Sequence, residues 1–201
     1  MIFAINADTK LTISIIASFL FVLGGDLPYL KDIFSRKIKP HIYTWLIWSI
    51  TQGVALLGLL YGKGGWGALA LSISTFFVFI IFLVSLKYGT KNITKFDTII
   101  LIIALLAITV WFQMHNPLLA VIMVSVIDFL GYIPSFRKTF QEPQTETVFP
   151  WAVFFFANLL IIFSLSEYNL LTLTYLVTIE TANLILISIC LIRRRVIHLN
   201  L

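Results

Sequence analysis

Three carboxylates stand where a very apolar chain can least accommodate them. Asp26, Asp128 and Glu180 each lie inside a long run of hydrophobic residues. At a bilayer centre such a charge costs on the order of 3 kcal/mol, so a chain that keeps it has a use or a partner for it. The chemistry open to it is narrow: an intramembrane carboxylate binds a cation, carries a proton, or accepts hydrogen bonds inside a cavity. Asp128 and Glu180 each stand about ten residues into an apolar run, near its middle. With no Lys or Arg in their own runs, each must face a cavity or share a hydrogen bond. Asp26 lies nearer the end of its run, within reach of interfacial water or of Lys31.

Amides and aromatic residues accompany the carboxylates. Asn183 follows Glu180 by three residues, which puts both on one helical face, with Thr181 alongside. Ser72, Ser74 and Thr75 offer hydroxyls in an earlier run. Gln52 and Asn158 fall deep in two others, each with a tryptophan, Trp45 or Trp151, seven residues before it on the same face. Trp48 is one turn deeper than Trp45. Tryptophan near a helix end commonly anchors the membrane interface. Beside amides it also makes the aromatic wall of a small-molecule pocket. A neutral, sugar-like solute would rest on Trp45, Trp151, Asn158 and Asn183. A cationic solute or a proton would use Asp128 and Glu180.

Pro28 and Pro134 also fall inside apolar runs. Proline removes an intrahelical hydrogen bond and clashes with the preceding turn, so each helix is expected to kink there, either as fixed packing or as a hinge. His41 sits at the mouth of a helix as a loop residue or a gate. Enzymatic chemistry is not expected. His41, His115 and His198 lie near helix ends, Cys190 has no base partner, and no metal-ligand cluster, phosphate loop or nucleophile triad is present. No metal or cofactor is implied.

The elements that hold these residues follow from composition. The chain has 201 residues, 60% hydrophobic and 11% charged. A soluble domain needs roughly 25% charged residues, so most of this surface must face lipid. The opening "MIFAINADTK" lacks the basic segment and cleavage site of a removable signal peptide, and none is expected. Seven apolar spans are predicted, at 11–35, 42–61, 66–88, 97–114, 118–140, 149–166 and 169–192, all helical because lipid offers backbone groups no partners. No linker is long enough to separate soluble domains, so 1–201 is one membrane domain.

The net charge of +5 is distributed one-sidedly, which speaks for membrane topology rather than nucleic-acid binding. Lys10 and Lys63 fall on one side of the predicted spans. Lys31, Arg36, Lys37, Lys39, Lys87, Lys91, Lys95, Arg137, Lys138 and Arg193 to Arg195 fall on the other, two against twelve. The positive-inside rule then places the N-terminus outside and the C-terminus in the cytoplasm, in the cell membrane.

An offset of 106 residues lays the chain on itself. Gly25 falls on Gly131, Pro28 on Pro134, Phe34 on Phe140, Trp45 on Trp151, Gln52 on Asn158, Thr75 on Thr181 and Lys87 on Arg193. Two three-helix units, 11–88 and 118–192, are thereby predicted, with 97–114 as the linking helix. An odd linking helix is what a parallel duplication of three helices requires.

The 3+1+3 layout, the outside N-terminus, the proline in the first helix of each triplet and the basic loop followed by an aromatic second helix resemble the PQ-loop and SWEET (MtN3/saliva) superfamily over roughly residues 12 to 193. Pro28-Tyr29 and Pro134-Ser135 stand where that family carries Pro-Gln, so the likeness is to a prokaryotic branch without the pair. The resemblance implies a small-molecule transporter that rocks two triple-helix bundles around a midplane pocket. Its cargo would be a small polar solute. It also implies substrate contacts from Trp45, Trp48, Gln52, Trp151, Asn158, Glu180 and Asn183, and coupling or gating through Pro28, Pro134, Asp26 and Asp128. In the family, asparagines on third helices line the cavity; Asn183 fits that role, and Phe77 stands at its mate. The alternative is a non-transporting receptor or accessory subunit on the same fold. Gly58 and Gly62, a GxxxG spacing, allow close packing inside a triplet or between protomers of a homo-oligomer.

Overall fold

The structure is a computed structural model that describes residues 6–37, 40, 42–89, 95–113, 115–141, 143–145 and 148–199. His41, Lys39 and Lys91 lie outside the described residues, as do the side chains of Pro134, Arg137, Lys138 and His198. The described chain is all-helical. Helix α1 (Ala7–Phe21) passes through a π-helical turn (Val22–Asp26) into α2 (Leu27–Phe34). Then come α3 (Ile42–Tyr61), α4 (Gly67–Tyr88), α5 (Lys95–Gln113), α6 (Pro117–Gln141), α7 (Val148–Ser164) and α8 (Leu170–Leu199), with a 3-10 turn at Pro143–Thr145. Four helical stretches, Ala7–Phe34, Ile42–Tyr61, Gly67–Tyr88 and Leu170–Ile197, are long and apolar enough to cross a membrane. Leu101–Gln113, Pro117–Tyr132 and Val148–Ser164 are shorter apolar helices.

Large apolar side chains point outward along these helices, among them Phe19, Leu60, Phe76, Phe112, Phe149, Phe156 and Phe163. Small ones point inward: Ala17, Ala55, Ala70, Ala120 and Ala157 share the main core with Val121, Val124 and Ile161. A water-soluble fold sorts its residues the other way. Lipid tails are as apolar as leucine, so helices in a bilayer gain by close packing of small residues. These are the features of a helical, multi-pass membrane protein.

Local chemistry sets the helix ends. Asn6 accepts the Thr9 N–H at 2.8 Å, Asn116 accepts the Leu119 N–H at 3.0 Å just before Pro117, and Asn169 accepts from Leu171 at 3.0 Å and Thr172 at 3.2 Å. Each is an N-cap supplying an acceptor to a helix start that has none of its own. At the same end of the bundle the loops hold one another. Lys10 donates to the Leu165 carbonyl at 2.6 Å and Ser14 to that of Trp66 at 2.6 Å. Asn169 Nδ2 donates to the Gly62 carbonyl at 2.7 Å. At the other end, Arg193 and Arg194 each donate through Nε, at 3.0 Å, to the carbonyls of Phe140 and Pro143.

Neighbour relations follow a simple order. Helix α4 lies against both α1 and α3, and α8 against both α6 and α7. Among the described residues the backbones of α1 and α3 stay apart, as do those of α6 and α7. The two groups meet along α1 with α7 and along α3 with α6, with further contacts of α3 with α8 and of α4 with α7. Helix α5 packs on α3 and α6. The Gly58/Gly62 spacing serves this arrangement rather than packing within a triplet or between protomers. A Cβ at Gly58 would meet Val121 of α6, and one at Gly62 would come within 2.9 Å of Asn169, Leu171 and Thr172.

The two prolines have different settings. Before Pro28 the backbone gives up the four-residue register, and the Leu27 N–H reaches back five residues to the Val22 carbonyl. Gly24 and Gly25 lie in that turn, and glycine makes such a departure easy. Around Pro134 the offset mates are Leu130 and Gly131, and the backbone stays α-helical. At the two prolines the backbone therefore differs, with a π turn before Pro28 and α-helical backbone through Pro134.

Gly24 and Gly25 also let α1 and α7 touch: added Cβ atoms would stand 2.6 Å from Val153 Cγ1 and 2.6 Å from Phe154 Cε1. Overpacking costs about 1–3 kcal/mol, against roughly 0.5–1 kcal/mol gained by replacing a helical glycine. Gly24→Ala is therefore expected to lower the thermal midpoint in detergent. Because the obstacle is a side chain, Val153→Ala in the same chain should recover most of the loss.

Candidate functional site

A cavity of ≈ 210 Å³ lies among the six helices α1, α3, α4, α6, α7 and α8, with α5 outside it. Eight of the residues singled out from the sequence line it: Asp26, Trp45, Trp48, Gln52, Asp128, Trp151, Asn158 and Asn183. Ser74 lines it too; Glu180 and Pro28 do not, and the side chain of Pro134 lies outside the described residues.

The carboxylates divide accordingly. Asp128 is 5% exposed; Tyr175 donates its hydroxyl to Asp128 Oδ2 at 2.7 Å, while Oδ1 has no hydrogen-bond partner. Thr51 lies in the same neighbourhood, but its hydroxyl goes to the Trp48 carbonyl at 3.3 Å. Asp26 is 8% exposed and its Oδ2 is likewise unpartnered, so it faces the cavity rather than interfacial water, and Lys31 is exposed. Glu180 is half-buried at the edge of the site, with both oxygens tucked inward and unpartnered. The Tyr132 hydroxyl lies within electrostatic reach of Asp128 and Glu180 and donates to Asn183 Oδ1 at 3.1 Å.

The aromatic walls interlock. Trp45 and Trp48 meet edge to face at 5.2 Å, Tyr29 packs on Trp45 at 4.9 Å, and Tyr132 packs on Trp151 at 5.8 Å. Phe154 bridges Trp151 and Phe21, at 6.5 and 6.0 Å. Trp45 is thus buried in a wall and does not serve as an interfacial anchor. Of the third-helix hydroxyls, only Ser74 reaches the cavity. Ser72 and Thr75 donate to the carbonyls of Ala68 and Leu71, four residues back, the usual local outlet for such groups. Thr181 does the same toward Val177 and is exposed, not beside the site.

Two residues central to the geometry were not anticipated, Tyr132 and Tyr175. The signal was present. Tyr132 follows Asp128 by four residues, and Tyr175 precedes Asn183 by eight, so each lies on a polar face already identified. A search for cationic partners of the carboxylates passes over phenols.

Removing the Tyr175 hydroxyl leaves a buried carboxyl oxygen without its donor, a cost of about 1–3 kcal/mol. Tyr175→Phe is expected to lower thermal stability by that order in detergent. Asp128→Leu combined with Tyr175→Phe should return close to the parent, since replacing both partners by apolar groups removes the unmet bond as well.

Compared with protein-family models, with curated proteins and with solved structures, the chain matches none.

Proposed function

We propose that the protein is a small-molecule transporter of the PQ-loop/SWEET type. Its seven helical spans form two parallel three-helix repeats, one from α1 to α4 and one from α6 to α8, with α5 as the linker. The repeats rock about the shared cavity, which opens to each side in turn. The cargo is a small polar solute. The basic loops put the C-terminus in the cytoplasm of a cell whose plasma membrane holds the protein.

One observation carries this reading. Four pairs of cavity residues are each 106 positions apart: Asp26 with Tyr132, Trp45 with Trp151, Trp48 with Phe154, and Gln52 with Asn158. Chance likeness between apolar helices gives no reason for the offset mates to meet at one site. A duplicated unit does, because residues related by a pseudo-two-fold axis converge on it, and transporter sites lie at such repeat interfaces. The neighbour order supports it further, since the third helix of each group contacts the other two and the contacts between groups come in reciprocal pairs.

Alternating access makes a prediction about reactivity. Cys190 is fully buried against the Pro143 carbonyl, and Cys190→Ala gives a background free of thiols. In that background Ser74→Cys and Ser135→Cys place single thiols in the cavity wall. Each is expected to react with a membrane-impermeant reagent added from either face of sealed vesicles. Reaction from one face alone at both positions would instead support a receptor or accessory subunit.

A further inference from the structure

The hydrogen-bonding imbalance in the cavity narrows the occupant, given that the cavity is the solute site. Asp26 Oδ2, Asp128 Oδ1 and Gln52 Oε1 are buried acceptors without partners, and Asn183 Nδ2 is the one such donor among the described lining residues. Asp26, Asp128 and Asn183 are all more than nine-tenths buried. A polyol brings donors and acceptors together, whereas the enclosed groups left unmet here are acceptors by three to one. An ammonium group brings three donors and no acceptor.

Charge and shape agree. Two carboxyls line the cavity, and no Lys, Arg or His does among the described residues. A ligand carrying its own carboxylate would bury an anion with no cation opposite it, a large penalty. Trp45, Trp48, Trp151 and Tyr132 line the cavity, and an ammonium over an indole face gains a further attraction. A cavity of ≈ 210 Å³ is somewhat larger than the roughly 150 Å³ that holds benzene. That leaves room for a compact hydrocarbon body with one polar head.

We propose that this cavity binds a small primary amine that lacks a carboxylate, its ammonium held by Asp26 and Asp128 and its hydrocarbon part against the tryptophans.

Three ligands with one branched hydrocarbon body separate the possibilities: isoamylamine, isoamyl alcohol and leucine. They carry an ammonium, a hydroxyl, and an ammonium with a carboxylate. The assay follows tryptophan fluorescence of the full-length protein in detergent. Isoamylamine is expected to give a saturable change, with the alcohol and leucine at least about tenfold weaker, the order lost with one charge-assisted hydrogen bond. Asp128→Asn and Asp26→Asn should each weaken the amine by a similar factor at unchanged elution volume. Equal binding of the alcohol or of leucine overturns the proposal, as does retention of amine affinity in both folded variants. If a variant does not fold, the three-ligand comparison on the parent protein decides alone. Amine binding with thiol labelling from one face would sink transport and leave the amine site standing. Labelling from both faces with no amine binding would sink the amine site and leave transport standing.

Discussion

Lipid supplies no hydrogen bonds, and that single constraint orders everything in this molecule. Every backbone group must be met within its own helix, so the chain becomes a set of helices. Hydroxyls along the helices turn back on a carbonyl one turn earlier, as those of Ser72, Thr75 and Thr181 do. Polar atoms that cannot close such a local loop are driven inward and collected. Asp128, Asn183, Tyr132 and Tyr175 answer one another only in part, and the unmet remainder lies at one cavity. Such residues are costly to retain unless something enters to complete them.

The two helical groups are alike in neighbour order and unlike in detail. Where one presents Asp26, its offset mate is Tyr132, and where one presents Phe77, the mate is Asn183. The polar side chains that bond across the cavity wall come from α6 and α8, while the π turn and α3 contribute Asp26 and Gln52 with open valences. The same inequality marks the backbone. One helix spends two glycines on a π turn before its proline, and the other runs on as an α-helix. In the transporter reading, the first group is the one whose backbone is built to change.

Much of this was legible in the residues, for identifiable reasons. The helices were legible because the lipid constraint acts on every residue of an apolar run, and Asn116 before Pro117 marks its helix start in plain chemistry. Trp45, Gln52, Trp151 and Asn158 were legible as cavity residues because tryptophans and amides are rare in apolar runs and recur here at one fixed spacing. The π turn was not, because a five-residue hydrogen bond depends on backbone torsions that no residue type dictates. Glu180 was expected among the substrate contacts beside Asn183, and the structure leaves it half-buried and outside the cavity lining. Helical phase gives a direction, not how far a flexible side chain reaches. Gly58 and Gly62 announced a close approach without saying to which helix, since any neighbour's Val121 or Leu171 satisfies the same spacing.

Arg193 and Arg194 were first counted as charges on one side of a membrane. In the fold they also close the end of α6 and its following turn, each through Nε, and Arg193 lies over the Phe140 ring at 4.3 Å. A lysine has neither the forked donor nor the flat face that this requires. The positive-inside rule reads only their charge, whereas this end of the fold depends on their shape as well. Exchange of arginine for lysine at these positions would keep every charge in place and remove the Nε donors that meet the carbonyls of Phe140 and Pro143.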